Sequence, residues 1–321
     1  MTRPRRRSRF LSGARGLATA AALGVAAAVA AHPGAAHAQA CCVGTGLVTP
    51  ARLRTFESQA VGMQMRARSV MGAFAGSGNY ATSPTSNREL GFEEDLFAAL
   101  RLGSHFQVGL LAPFLQTSRQ EGGFSGFGGG LGDVAVNARY DIVNAGERGL
   151  WPGVAIIAGL SFPTGQPLDD MNAGDPLSTS GTGTGSFEGN AGAAIEEIVG
   201  TSFVSLAGWV SKRSARSAMG IEQSFAPRLS ALLTGGHTFG HDVTVGAFVS
   251  ALRQGDARDA TTGPIANSGV ALATAGAALA LPFWQWWRLQ TTLFSDLPIA
   301  GWGRNQTAGV GGTVAVIRFW I

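Results

Sequence analysis

The stretch GLGDVAVNARYDIV, residues 130–143, sets Val134, Val136, Ala138, Tyr140 and Ile142 on one side of an extended chain and Asp133, Asn137, Arg139 and Asp141 on the other. In a soluble sheet the apolar side would be core and the charged side would meet water. In a membrane barrel the assignment inverts: the apolar side meets lipid and the charged side lines the lumen. The rest of the chain decides between the two.

The same alternation recurs. Val61, Met63, Met65 and Ala67 oppose Gln64, Arg66 and Arg68; Leu90, Phe92, Leu96, Ala98, Leu100 and Leu102 oppose Glu93, Asp95 and Arg101. Comparable stripes cover 106–114, 154–162, 187–196, 225–233, 243–251, the region from 270, 287–296 and 310–321, with a weaker one at 201–211. That makes about twelve strands, each near the roughly 9–11 residues that a tilted membrane-spanning strand needs. Strands of soluble proteins centre on about five or six.

The connections carry a second signal. Those at 74–88, 117–129, 164–185, 212–221, 253–267 and 297–305 are long and polar or glycine-rich, while those at 103–105, 144–152, 199–201, 236–241 and 282–286 are mostly shorter. Long and short alternate in order, as in an up-and-down barrel whose two rims face different compartments. Greek-key crossings would break that parity. Phe283, Trp284, Trp286 and Trp287 gather at one short connection, with Trp151 and Trp320 expected at the same level, as in an interfacial aromatic girdle. The expected fold is all-β: a closed up-and-down antiparallel transmembrane β-barrel of about 12 strands. Pro113 and Pro227 then require bulges or strand ends, and Glu94 falls on the lipid-facing stripe.

Residues 1–40 read as an export signal, with an arginine-rich head, the apolar run LATAAALGVAAAVAA and small residues ending in A-H-A or A-Q-A. Its removal takes six of the 24 basic groups and no acid, leaving 18 basic against 20 acidic groups in the mature chain. The basic balance therefore belongs to the precursor, and nucleic acid is not an expected partner. No later run of eighteen apolar residues offers a helical span. Residues 41–55 are expected to form a periplasmic N-terminal segment and 56–321 the barrel. Cys41 and Cys42 are adjacent and have no distant partner, which excludes a disulfide framework.

The pair of motifs GLGD (130–133) followed by VAVNARY, and GLSFPTG (159–165) after the next strand, resembles a family of outer-membrane transporters associated with the MetA pathway of phenol degradation. The resemblance is firmest over 130–165 and extends more loosely from 89 to the end, where Asp296-Leu297-Pro298 precedes the last strand. It implies an outer-membrane barrel that moves small, often hydrophobic, molecules. The chain departs from the usual terminal aromatic by ending in Ile321, although Phe319 and Trp320 are close by.

Catalytic chemistry finds little support. There is no G-x-S-x-G nucleophile elbow and no Walker lysine beside the glycines. His105, His237 and His241 are expected on the periplasmic rim as solvated turn residues. Asp169, Asp170, Asn172 and Asp175 supply oxygen ligands of the kind calcium prefers without EF-hand spacing, in what reads as a hydrated external loop. No cofactor, metal or catalytic residue is assigned. The informative set is the lumen stripe: Arg66, Arg68, Glu93, Asp95, Arg101, Asp133, Arg139, Asp141, Glu188, Glu196, Arg228, Arg288, Asp296 and Arg318. Charges of both signs there should form Arg–carboxylate ladders across a bore narrower than that of open porins. The expected function is passive passage of small, hydrophobic or aromatic solutes, with the charged lining and the loop at 164–185 setting what passes. Expected partners are outer-membrane lipid and lipopolysaccharide, the barrel-assembly machinery and a small-molecule solute. A closed structural or adhesive barrel and an interfacial hydrolase are the alternatives.

Overall fold

The structure, a computed structural model, describes residues 52–54, 56–146, 151–167, 175–218, 221–259 and 261–321. The export signal, Cys41 and Cys42, and Asp169, Asp170 and Asn172 lie outside the described residues. The strands are β1 (Gln59–Phe74), β2 (Tyr80–Thr82), β3 (Arg88–Leu102), β4 (Phe106–Glu121), β5 (Phe124–Leu131), β6 (Ala135–Val143), β7 (Gly153–Ser161), β8 (Glu188–Val199), β9 (Ser202–Arg213), β10 (Arg216–Ala218), β11 (Ile221–Ser224), β12 (Arg228–Thr238), β13 (Thr244–Gln254), β14 (Arg258–Asp259), β15 (Gly263–Pro264), β16 (Val270–Trp284), β17 (Trp287–Asp296) and β18 (Thr307–Trp320).

Successive long strands pair antiparallel, and β18 returns to β1 in register from Gln59↔Trp320 to Ala73↔Thr307, closing the sheet on itself. The result is a closed antiparallel barrel of 12 strands, because β5 and β6 share one place in the wall. β5 pairs with the long-loop half of β4 and β6 with its short-turn half, with a break at 132–134. Pro113 lies opposite that break, where its carbonyl accepts from Gly132 N at 2.8 Å. Pro227 stands just ahead of β12. Neither proline interrupts a continuous ladder on both sides. The short strands β10, β11, β14 and β15 form a separate small sheet among the long loops.

The region read as a loop at 117–129 is instead a hairpin of β4 and β5, with β3 paired to β4 as far as Arg88↔Gln120. Its turn is Gly122-Gly123, at φ +57° and +87°. The glycines of β5 explain why strand patterning was hidden. Gly126, Gly128 and Gly130 fall on the lumen side, and a Cβ on Gly128 would stand 2.7 Å from the Thr179 carbonyl carbon. The loop containing Thr179 and Ser180 therefore lies on the lumen face of β5, and only glycine lets it approach so closely.

The two faces of the wall separate as an inverted sheet requires. Val61, Met63, Leu96, Leu206, Leu233 and Leu293 are exposed on the outside, with Leu293 73% accessible. Inside, each of four phenylalanines covers the glycine that is its direct cross-strand partner: Phe97 over Gly62, Phe203 over Gly236, Phe248 over Gly276 and Phe294 over Gly311. A ring laid over a glycine follows the wall instead of crossing the bore.

Candidate functional site

The lumen holds a cavity of about 690 Å³ walled by strands from β1 round to β13. Its charges are held in pairs. Arg66 meets Glu93 at 2.7 Å, and Arg139 meets Asp141 at 2.7 Å and Glu196 at 3.0 Å. Glu188 accepts from Arg213 at 2.7 Å and from Arg228. Arg68 bridges to Asp296 at 2.8 Å, and Asp95, 1% exposed, accepts from Gln64 at 3.0 Å. These cross-strand contacts follow the register: Arg66 is paired with Glu93, and Glu188 with Arg213. Asp133, expected on the same stripe, stands at the break in the wall. There it accepts from Gly165 N at 3.0 Å and from Thr184 N and Oγ1 at 2.8 Å, and so ties the long loop to the barrel.

Arg318 corrects the expected lining. It is exposed on the outer face, with its guanidinium over the rings of Trp287 at 5.7 Å and Trp320 at 4.9 Å. Its parity is that of Val310 and Val314, both exposed, so it belongs to the outer stripe. A long arginine at a rim can reach headgroups and stack on the aromatic belt, which makes the outer position affordable.

Sequence patterning missed the segment before β1. Residues 52–54 and 56–58 stand at the short-turn end of the barrel, with Leu53, Arg54 and Glu57 buried inside it. Leu53, 2% exposed, packs among Ala60, Phe97, Ala99, Ala315 and Ile317, and its N–H donates to Gln107 Oε1 at 3.3 Å. Arg52 pairs with Glu196 on β8, and Glu57 accepts from Arg288 on β17 at 2.6 Å. Arg101 donates to the carbonyls of Glu57 at 2.9 Å and Arg54 at 2.8 Å. β8 and β17 lie five places apart round the ring, so this strap crosses the bore beneath the cavity. Of the segment expected in the periplasm, 41–55, only 52–54 are described, and these sit inside the barrel end.

Apolar and small side chains share the lumen face with the ion pairs. From β1 round to β12 the inward residues include most of the arginines and carboxylates just described. β13, β16 and β18 present Thr244, Phe248, Leu252, Leu272, Ala278, Ala280, Thr313, Ala315 and Ile317 inward, while β17, between β16 and β18, carries the buried Arg288 and Asp296.

The histidines lie at short turns. His105 Nδ1 is 2.7 Å from the Asp141 carbonyl, and His241 adopts φ +61° in the turn before β13. His237 Nδ1 is 2.9 Å from Ser202 Oγ, which is the Ser–His contact a hydrolase would need. Among the described residues no carboxylate orients that imidazole; Thr201 Oγ1 lies 3.3 Å from Nε2. Among the described residues no group of three or more His, Cys, Asp or Glu side chains could hold a metal. Asp175 is bound by its own loop, to Ser180 N at 2.8 Å, Ser180 Oγ at 2.6 Å and Thr179 Oγ1 at 3.1 Å.

No protein-family model and no curated protein matches this chain. Among solved structures, the COG4313 outer membrane channel from Pseudomonas putida F1 is similar over 84% of this chain and 97% of its own, with 16% identity and a TM-score of 0.69. The NanC porin covers 82% of this chain at 9% identity, 100% of its own length and a TM-score of 0.46. The translocator domain of the autotransporter NalP from Neisseria meningitidis covers 98% of this chain at 12% identity, 100% of its own length and a TM-score of 0.45. At such identity the likeness to the Pseudomonas channel is one of architecture, and this chain has the fold of an outer-membrane β-barrel.

Proposed function

We propose that this barrel is a passive outer-membrane channel for small solutes with hydrophobic or aromatic bodies, delivered across the inner membrane by a cleaved export signal. The observation that carries this reading is the 690 Å³ cavity inside a closed barrel, lined by ion pairs interspersed with Leu111, Ile157, Trp209, Leu232 and Leu252. A bore with both charged and apolar lining suits a solute that has a polar group and an apolar body, and passage through it needs no covalent chemistry. The resemblance of GLGD and GLSFPTG to the phenol-degradation transporters agrees with that solute class. On this reading the lining pairs, Arg66–Glu93, Arg139–Glu196 and Arg228–Glu188 among them, set the polarity of the path. Lipopolysaccharide and lipid surround the outer stripe, and the assembly machinery inserts the chain.

The strap favours a second reading, a closed structural barrel displaying its loops. Reconstitution of the full chain into planar bilayers and liposomes separates the two. A channel gives discrete conductance steps and speeds uptake of small aromatic solutes. A barrel that stays silent with and without residues 52–58, and speeds no solute, would be structural. An interfacial hydrolase at Ser202–His237 would be labelled by a serine-directed fluorophosphonate, and no labelling is expected.

A further inference from the structure

The cavity's upper wall has one place where positive charge is in excess. We propose that it is a subsite for a small organic monoanion with a flat apolar body, of the class of aromatic monocarboxylates, centred on Arg228 and Ser211. The proposal rests on the channel reading only for its purpose; the binding itself stands on the wall's chemistry.

The other charges bounding the cavity are balanced. Arg66 and Glu93 satisfy each other, and Arg52 and Arg139 share Glu196 while Arg139 also holds Asp141. At the long-loop end, two guanidiniums, Arg213 and Arg228, share the single carboxylate of Glu188. One positive charge is left over. Among the described residues Arg228 makes one side-chain hydrogen bond, from Nη2, so the rest of its donor fork has capacity for a second carboxylate.

Ser211 supplies the independent sign. It is the direct cross-strand partner of Arg228, lines the cavity and is 2% exposed, yet its Oγ has no hydrogen-bond partner among the described residues. A buried hydroxyl without a partner is unfavourable, and an acceptor held on Arg228 would satisfy it. The register then gives the ligand its direction. The row across the wall at this height is Asn190, Ser211 and Arg228; the next row toward the short turns is Trp209, Ser230 and Leu252. A polar row stands over a mostly apolar one, so a carboxylate on Arg228 and Ser211 would lay its ring toward Trp209 and Leu252.

The test is benzoate binding to the purified full-length barrel in detergent, by equilibrium dialysis, with acetate, phosphate and benzyl alcohol as comparators. Variants are Arg228→Gln, Arg228→Lys and Ser211→Ala, each checked for folding by its heat-modifiable gel mobility. Benzoate is expected to bind about tenfold or more tightly than any comparator. Arg228→Gln should weaken it about tenfold or more, Ser211→Ala by a smaller factor, and Arg228→Lys should fall between wild type and Arg228→Gln. Unchanged benzoate binding in Arg228→Gln overturns the proposal. Acetate or phosphate binding as tightly as benzoate would leave only a small-anion site, and benzyl alcohol binding equally would leave only an apolar pocket; either result refutes it. A barrel that binds benzoate but never conducts refutes the channel and keeps the subsite. One that conducts but does not bind benzoate does the reverse.

Discussion

The ring of Phe248 lies over Gly276, its partner on the next strand, so closely that a Cβ there would come within 2.5 Å of Phe248 Cε1. The same hypothetical atom would meet the Leu293 carbonyl at 2.4 Å, so the ring alone cannot relieve the crowding. Gly276→Ala is therefore expected to destabilise the barrel by about 1–3 kcal/mol through overpacking. Adding Phe248→Leu should recover part of that loss. Urea midpoints in micelles for the two single variants and the double variant would check the coupling.

The strap depends on a buried ion pair. Arg288 and Glu57 are each 3% exposed, and breaking such a pair by removing one partner costs roughly 3–5 kcal/mol while the other stays buried. Glu57→Ala should relieve that penalty by letting the strap leave and water reach Arg288. The expected result is trypsin cleavage at Arg52 and Arg54 in the folded variant, which the native strap resists. If the channel reading holds, single-channel conductance rises in the same variant.

Glu94 faces outward between its cross-strand partners Met65 and Phe114. A carboxylate on a lipid-facing stripe is unfavourable, though less so than a lysine or arginine at the same depth. Glu94→Leu is expected to stabilise the barrel in liposomes by about 1 kcal/mol, read as a higher urea midpoint. A lower midpoint would mean that Glu94 has a partner in the membrane.

Hydrogen bonds from the side chain and backbone of Ser180 hold the Asp175 carboxyl below the usual aspartate range. Its contribution to loop order is thus complete above the ordinary value of about 3.9 and is lost only as pH falls through the lower folded value. Deuterium uptake in residues 175–184, corrected for intrinsic exchange, should stay level from pH 7 down to about 4 and rise below that. In Asp175→Asn the pH dependence should disappear.

Side-chain alternation made the wall readable, because a closed membrane barrel exposes one stripe of every strand to lipid and turns the other inward. Stripes such as Val61–Met63–Met65 against Gln64 and Arg66 carried both the architecture and the inner lining. Arg318 went astray because charge was weighed above parity, although Val310 and Val314 gave the correct side. Gly126, Gly128 and Gly130 hid a strand because glycine has no side chain with which to alternate; what they make room for is a loop some fifty residues further on. The strap left no periodic trace at all. Leu53 and Glu57 are placed by partners on β1, β3, β17 and β18, and such long-range contacts have no local pattern. Ser211 and Trp209 sat on a strand whose stripe was weak, and their parity on 202–213 was the one signal that could have singled them out.

The strap runs without interruption into β1, the strand that seals the cylinder against β18. Its anchors, Glu196 and Arg288, belong to stretches of chain made much later. Leu53 meets Phe97 and Ala99 once β3 stands beside β1, but the pairs with Glu196 and Arg288 need β8 and β17 in place as well. The stopper is therefore fully anchored only in a cylinder whose distant strands have all come together.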